Sequence, residues 1–165
     1  MSLTVVDEPS DRPAWIQETI ALLTAWSDRE RTDLLQLVEQ ADDTAIGAGT
    51  DDDWGLGQIA VHLLLVERGV AGIALRLARG EPAGATGQPR PAAGAVTRAG
   101  IAALAEKAIA ATERLRSGFP AEPDAVATAR HPFYGDLNCF GWLLTLPNHY
   151  GAHIQAHRAG RTSAL

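Results

Sequence analysis

The stretch WGLGQIAVHLLLVERGVAGIALRLAR, residues 54–79, places Ile59, Leu63, Val66, Val70, Ile73 and Leu77 at steps of three and four, with His62 on the same stripe. That period belongs to a helix turning one face to a core. Gly80 supplies its stop. Working toward the N-terminus, the triplet Asp51-Asp52-Asp53 sits where carboxylates complement a helix dipole, and Gly47-Ala48-Gly49-Thr50 breaks the preceding pattern. Before that break, Ile16, Ile20, Leu23, Trp26, Leu34, Leu37 and Val38 mark a long amphipathic helix from Trp15 to about Ala41. Ser10 or Asp11 is expected to cap it, with Pro13 in its first turn.

Toward the C-terminus, residues 81–94 are rich in Pro, Gly and Ala and read as a connection. A third helix is expected from about Val96 to Ser117, with Ile101, Leu104, Ala108, Ala111 and Leu115 inward. Residues 118–135 form a second long connection, and a last helix is expected from about Asp136 to Arg158. No strand is expected. Four such helices predict an all-α four-helix bundle occupying residues 1–165 as one domain.

Composition agrees and excludes other classes. The chain has 165 residues, 46% hydrophobic and 21% charged, with net charge -6. An acidic surface disfavours nucleic acid and anionic membranes as partners. The single cysteine, Cys139, excludes an internal disulfide framework and a Cys-rich zinc module. Asp7 and Glu8 precede the first base, unlike a secretory signal, and no membrane span is expected. The expected compartment is the cytoplasm.

The five histidines carry the chemistry. His149 and His153 are four apart, so their imidazoles stand one above the other on the last helix. Trp142 and Leu146 extend the same stripe inward. Two such imidazoles converge on a metal ion when a facing helix supplies a third ligand, and His62 is the candidate. The plainer reading is that a histidine on an apolar face is a hydrogen-bonded core residue, since an i,i+4 pair alone is a weak motif. His157 forms a competing pair with His153, but it lies in the last turn, where the helix dipole accounts for it. His131 has no assigned role.

Depth along the helices constrains the topology. His62 lies ~12 Å from the start of its helix, and the His149/His153 pair lies ~7–14 Å from the end of the last. These depths match if the two helices are antiparallel. The 81–94 connection, up to ~45 Å when extended, then crosses the bundle and leaves the second and third helices parallel.

Two segments resemble the signatures of the DinB-like (YfiT-like) four-helix superfamily. The first is Trp54, His62-Leu63 and Glu67; the second is HPFYGDLNCFGWLLTLPNHYGAH, residues 131–153, with Trp142, His149 and His153 in register. The resemblance implies an up-down-down-up bundle with a long crossover between the second and third helices. It implies a divalent metal on His62, His149 and His153 in a homodimer. Zinc or nickel comes first and iron next, since imidazole ligands suit all three. It further implies action on a small molecule, as a metal-dependent hydrolase or as a thiol-dependent S-transferase or isomerase using mycothiol or bacillithiol. The alternative is a non-enzymatic metal-binding or interaction bundle.

Departures from that pattern are Ala152 where Arg commonly precedes the last His, Ala156 where Gln is common, and Gly55 where Ser commonly caps the second helix. Pro147 removes a helical hydrogen bond to Leu143 and is expected to kink the last helix. No general base is evident. Glu67, about 140° round the helix from His62, is expected on another surface. Tyr150, Asp136 and His131 read as structural, and Cys139 as a small buried residue. Trp15, Trp26, Trp54 and Trp142 are expected in the core or a dimer interface rather than lining a pocket.

Overall fold

The computed structural model describes residues 12–160. Its long helices are α1 (Ala14–Gln40), α3 (Leu56–Ala78), α4 (Arg98–Gly118) and α5 (Cys139–Arg158), with a five-residue helix α2 (Asp43–Gly47) between the first two. The expected four-helix architecture is present. Pro13 stands at the N-cap of α1, with no side-chain cap; Ser10 and Asp11 lie outside the described residues.

Contacts between helix ends fix the directions. Arg12 donates to the carbonyls of Arg116 and Ser117 at the end of α4, while Arg98 at its start donates to those of Val38 and Ala41. Helices α1 and α4 are therefore antiparallel. At the end of α3, Arg79 donates to the carbonyl of Gly118, the last residue of α4; at its start, Gln58 donates to that of Pro91, ahead of α4. These two run parallel. Asp124 bridges the end of α3 to the start of α5, accepting from Cys139 Sγ and donating to the carbonyl of Ala78. Trp15 packs on Phe140, and Arg158 pairs with Asp33, so α1 and α5 run the same way. The order is up-down-down-up.

Helix α3 is the core helix. Sixteen of its 23 residues are buried, including the whole expected stripe from Ile59 to Leu77. By length and composition alone it is apolar enough to cross a membrane, with a mean hydropathy of 1.5 over its most apolar window. Most of that window faces the other helices of the bundle. A helix this apolar needs cover on most of its surface, and here the other helices supply it, leaving Arg68, Gly69 and Arg76 exposed.

Three local expectations are corrected. Residues Ala129–His131 and Gly135–Leu137 form an antiparallel hairpin, β1 and β2, where no strand was expected. Gly135 turns the chain at φ +78°, where other residues are strained. Consequently α5 begins at Cys139 rather than Asp136: Asn138 caps it by accepting from Gly141 N–H, and Asp136 belongs to β2. Leu104 is only half-buried, because Ala105 and Thr112 share the inward face of α4. Helix α5 continues through Pro147 as one element.

Candidate metal centre

His62 projects from the second turn of α3, and His149 and His153 from the second half of α5. The antiparallel pairing brings all three to one level. One ligand atom from each lies within 4.8 Å of the others. The ring centroids are 5.1 Å apart for His62 and His149, 5.2 Å for His62 and His153, and 4.8 Å for His149 and His153. His62 and His153 are buried and His149 is half-buried. His157 and His131 stand outside this cluster.

The crossover sets the orientation of His62. Its Nδ1 lies 2.6 Å from the carbonyl oxygen of Pro89, which can only accept, so the proton sits on Nδ1 and Nε2 presents its lone pair. That Nε2 is 2.9 Å from Nε2 of His149. A carbonyl behind the imidazole is the usual outer support of a metal-ligating histidine. The same segment is tied down by Gln58, which donates to the carbonyls of Thr50 and Pro91, and by Asp51, which accepts from Ala93 N–H. Gly55 permits this packing. A Cβ there would stand 2.0 Å from the carbonyl oxygen of Ala48, which explains why no Ser caps α3.

Electrostatics keep the cluster neutral. Burial, reinforced by His153, His62 and His131, depresses His149 to about 3, and burial with His62 depresses His153 to about 4. His62 is lowered as well, by burial against the opposing pull of the Pro89 hydrogen bond. Three uncharged imidazoles with available lone pairs are the form a metal requires. Among the described residues, three buried side-chain polar atoms lack a hydrogen-bond partner: Arg12 Nε, Gln88 Oε1 and His153 Nδ1. One belongs to this cluster, and Gln88 shares with His149 a cavity of about 50 Å³ that also touches His131, Trp142 and Thr145. That space is large enough to admit a water. Nitrogen donors of borderline softness, neutral and braced by a carbonyl, fit a divalent transition metal.

On the outer side, His149 and His153 open into a pocket of about 290 Å³, lined also by Phe133, Tyr134, Asn148 and Ala152. Trp54 packs against His62 at 5.0 Å between ring centroids, and the Arg90 guanidinium lies over the Trp54 ring at 5.5 Å. Trp54 and Trp142 are buried as expected, whereas Trp15 is 58% exposed and so is not a core residue. Cys139 is buried away from the histidines, and burial raises its thiol pKa.

Glu67 does face away from the histidines, but into the bundle. It is fully buried and accepts from Arg31, from Thr112 Oγ1 at 2.8 Å and from Tyr150 Oη at 2.7 Å. Tyr150 is thereby structural, and Asp136 pairs with Arg130 on the exposed hairpin. His131, unassigned from sequence, is 3% exposed, and its Nδ1 accepts from Phe133 N–H and Tyr134 N–H.

No protein-family model matches the chain, and no curated protein matches it. A solved crystal structure, that of TT2238, a four-helix bundle protein, is similar with a TM-score of 0.64 and 26% identity. The similarity covers 85% of this chain and 98% of that one.

Proposed function

We propose that this bundle is a DinB-like protein that holds one divalent metal on His62, His149 and His153 and acts on a small molecule. The observation that carries the proposal is the trio of neutral imidazoles, two buried and one half-buried, whose ligand atoms lie within 4.8 Å, with His149 and His153 lining an open pocket. The shared fold with a four-helix bundle protein and the register of Trp54, His62, Trp142, His149 and His153 support it.

A zinc, nickel or iron ion would supply Lewis acidity there, lowering the pKa of a coordinated thiol or water and polarising a carbonyl. The protein's own contributions are separate. Pro89 keeps the His62 proton on Nδ1 and so leaves Nε2 as the donor. His149 and His153, stacked at 4.8 Å, set the opposite wall, and the hairpin residues Phe133 and Tyr134 shield the pocket mouth. Because the sole cysteine is buried, any thiol nucleophile comes from a diffusible molecule such as mycothiol or bacillithiol. Within this reading the protein works in the cytoplasm as a homodimer, without nucleic acid or membrane.

One observation favours the non-enzymatic alternative. No carboxylate lines the pocket, so besides the histidines only the Tyr134 phenol is placed to move a proton. Thiol consumption coupled to loss of an electrophile identifies a transferase, and thiol-independent hydrolysis a hydrolase. Neither, in fully loaded protein, leaves a binding module.

The metal itself is tested on untagged protein by elemental analysis before and after reconstitution. One equivalent is expected. His149→Ala should bind the metal at least ~100-fold more weakly, and His157→Ala should match the wild type. Less than about a tenth of an equivalent in reconstituted wild-type protein sinks the proposal. Equal binding by the two variants shows that the wrong histidines were chosen.

A further inference from the structure

Beside the histidines, the pocket is walled by two aromatic rings that the fold leaves facing solvent. Phe133 is 62% exposed and Tyr134 64% exposed, both at the tip of the β1–β2 hairpin. Exposed aromatic rings at a pocket mouth are costly unless something covers them. They are also held in place. His131 sits buried beneath the tip, accepting from the N–H groups of Phe133 at 3.2 Å and Tyr134 at 3.4 Å. Its ring packs 4.8 Å from the ring of Tyr134 and 4.8 Å from that of Trp142, which anchors the tip to α5. Trp142 is fixed in turn by donating Nε1–H to the carbonyl of Ala129 on β1. The two aromatics are thus positioned in advance of any ligand, which reduces the entropy lost on binding.

The rest of the lining completes the selectivity. Asn148, His149, Ala152 and His153 are the other wall residues, and none is Asp, Glu, Lys or Arg. Ala152 leaves the wall beside the aromatic rings without a cationic side chain, so a carboxylate or phosphate tail finds no side-chain counter-charge there. The volume of about 290 Å³ is at the lower end for small-molecule sites.

We propose that Phe133 and Tyr134 form an aromatic lip that selects an uncharged small molecule with a planar apolar group, whose polar head lies on the His149/His153 side. This rests on the metal reading for the head group and goes beyond it for the tail. His131 is the positioning residue of the lip.

The test uses the full chain loaded with Co²⁺ and three thiols: 2-phenylethanethiol, 2-mercaptoethanol and 3-mercaptopropionate. Binding is read from thiolate-to-cobalt absorption. The phenyl compound is expected to bind roughly tenfold more tightly than either of the others, as two ring contacts allow. Phe133→Ala and Tyr134→Ala should each remove most of that preference with cobalt still at one equivalent. His131→Ala should do the same, and His131→Asn should restore it, since an Asn oxygen can accept from the N–H groups two and three residues ahead.

Equal binding of the three thiols, or a preference that survives both aromatic variants, overturns the lip. So does a change of sedimentation coefficient in Phe133→Ala without a change of preference, which would make the tip a subunit contact. If the chain takes up no cobalt, the metal reading fails instead. The lip is then read on the metal-free protein by titrating indole and following backbone amide shifts. Shifts centred on Phe133, Tyr134, Asn148 and Ala152 support it, and their absence overturns it.

Discussion

Two polar clusters share helices α3 and α5 of this bundle, and they are built on opposite logics. Around Glu67 the protein satisfies itself. Its carboxylate accepts from Arg31, Thr112 and Tyr150, drawn from α1, α4 and α5, and Arg31 also bonds Asp28, which Arg116 reaches from α4. Around His62 the protein stops short. One histidine is braced by Pro89, two imidazole nitrogens face each other at 2.9 Å, and Nδ1 of His153 has no partner. A buried charge network closed in this way specifies how helices pack. A cluster of neutral donors with a nitrogen left over, opening to a pocket, is arranged for something outside the chain. The contrast separates a structural polar centre from a ligand-holding one within a single core.

The largest expected effect comes from breaking the closed cluster. Arg31 is 7% exposed and Glu67 0% exposed, so the pair sits in a medium where an unpaired charge is costly. Burial works against the Arg31 charge, but Glu67 and Asp28 together carry its pKa above the ordinary value. Arg31→Met should lower stability by about 3–5 kcal/mol in urea unfolding, because Glu67 loses its cation. Adding Glu67→Gln in the same chain should recover much of that loss. A loss below ~1 kcal/mol in the single variant would show that the network is not what closes the bundle.

The open cluster is probed by acid. In metal-free protein, His149 at about 3 and His153 at about 4 lie below the ordinary 6.5, so the unfolded chain takes up protons that the folded chain refuses. Stability is therefore fully present above pH 6.5 and declines as pH falls toward the folded values. The slope is at most ~1.4 kcal/mol per pH unit for each histidine. Urea unfolding between pH 7 and pH 5, above most carboxylate titration, isolates it. His149→Leu should unfold with a shallower pH dependence than the wild type. Parallel curves would mean that the histidines are not buried neutral.

What the sequence disclosed follows from which physics is local. Helical period fixes which face a residue occupies, so His62, His149 and His153 were legible as one level of the bundle, and matching depths gave the crossover. The fate of the other faces was not. Glu67 was placed away from the histidines, yet a helix period cannot say whether the next face meets water or three more helices. The Pro89 carbonyl that orients His62 left no trace, since every residue carries one. Strands of three residues are too short for alternation to show, which hid the hairpin and with it the roles of His131, Phe133 and Tyr134. Gly55 read as a departure from a capping pattern; the reason, the Ala48 carbonyl, lies seven residues away and is visible only in space.

The smallest expected effect asks whether the two clusters are independent. Tyr150 follows His149 directly, but one residue is 100° of helix, and its side chain points to Glu67 rather than to the pocket. Burial, then the charge of Glu67, holds its phenol well above the ordinary 10, so it stays protonated and donates. Tyr150→Phe removes that one donor while Arg31 and Thr112 remain on the carboxylate. A loss of about 1.5 kcal/mol is expected, the low end for a bond to a charged acceptor. Metal content should not change, because His149 keeps its own backbone position and packing. A variant that loses metal together with stability would show that Glu67, through Tyr150, sets the rotation of α5 and with it the aim of His149 and His153. The closed cluster would then be the scaffold of the open one rather than its neighbour.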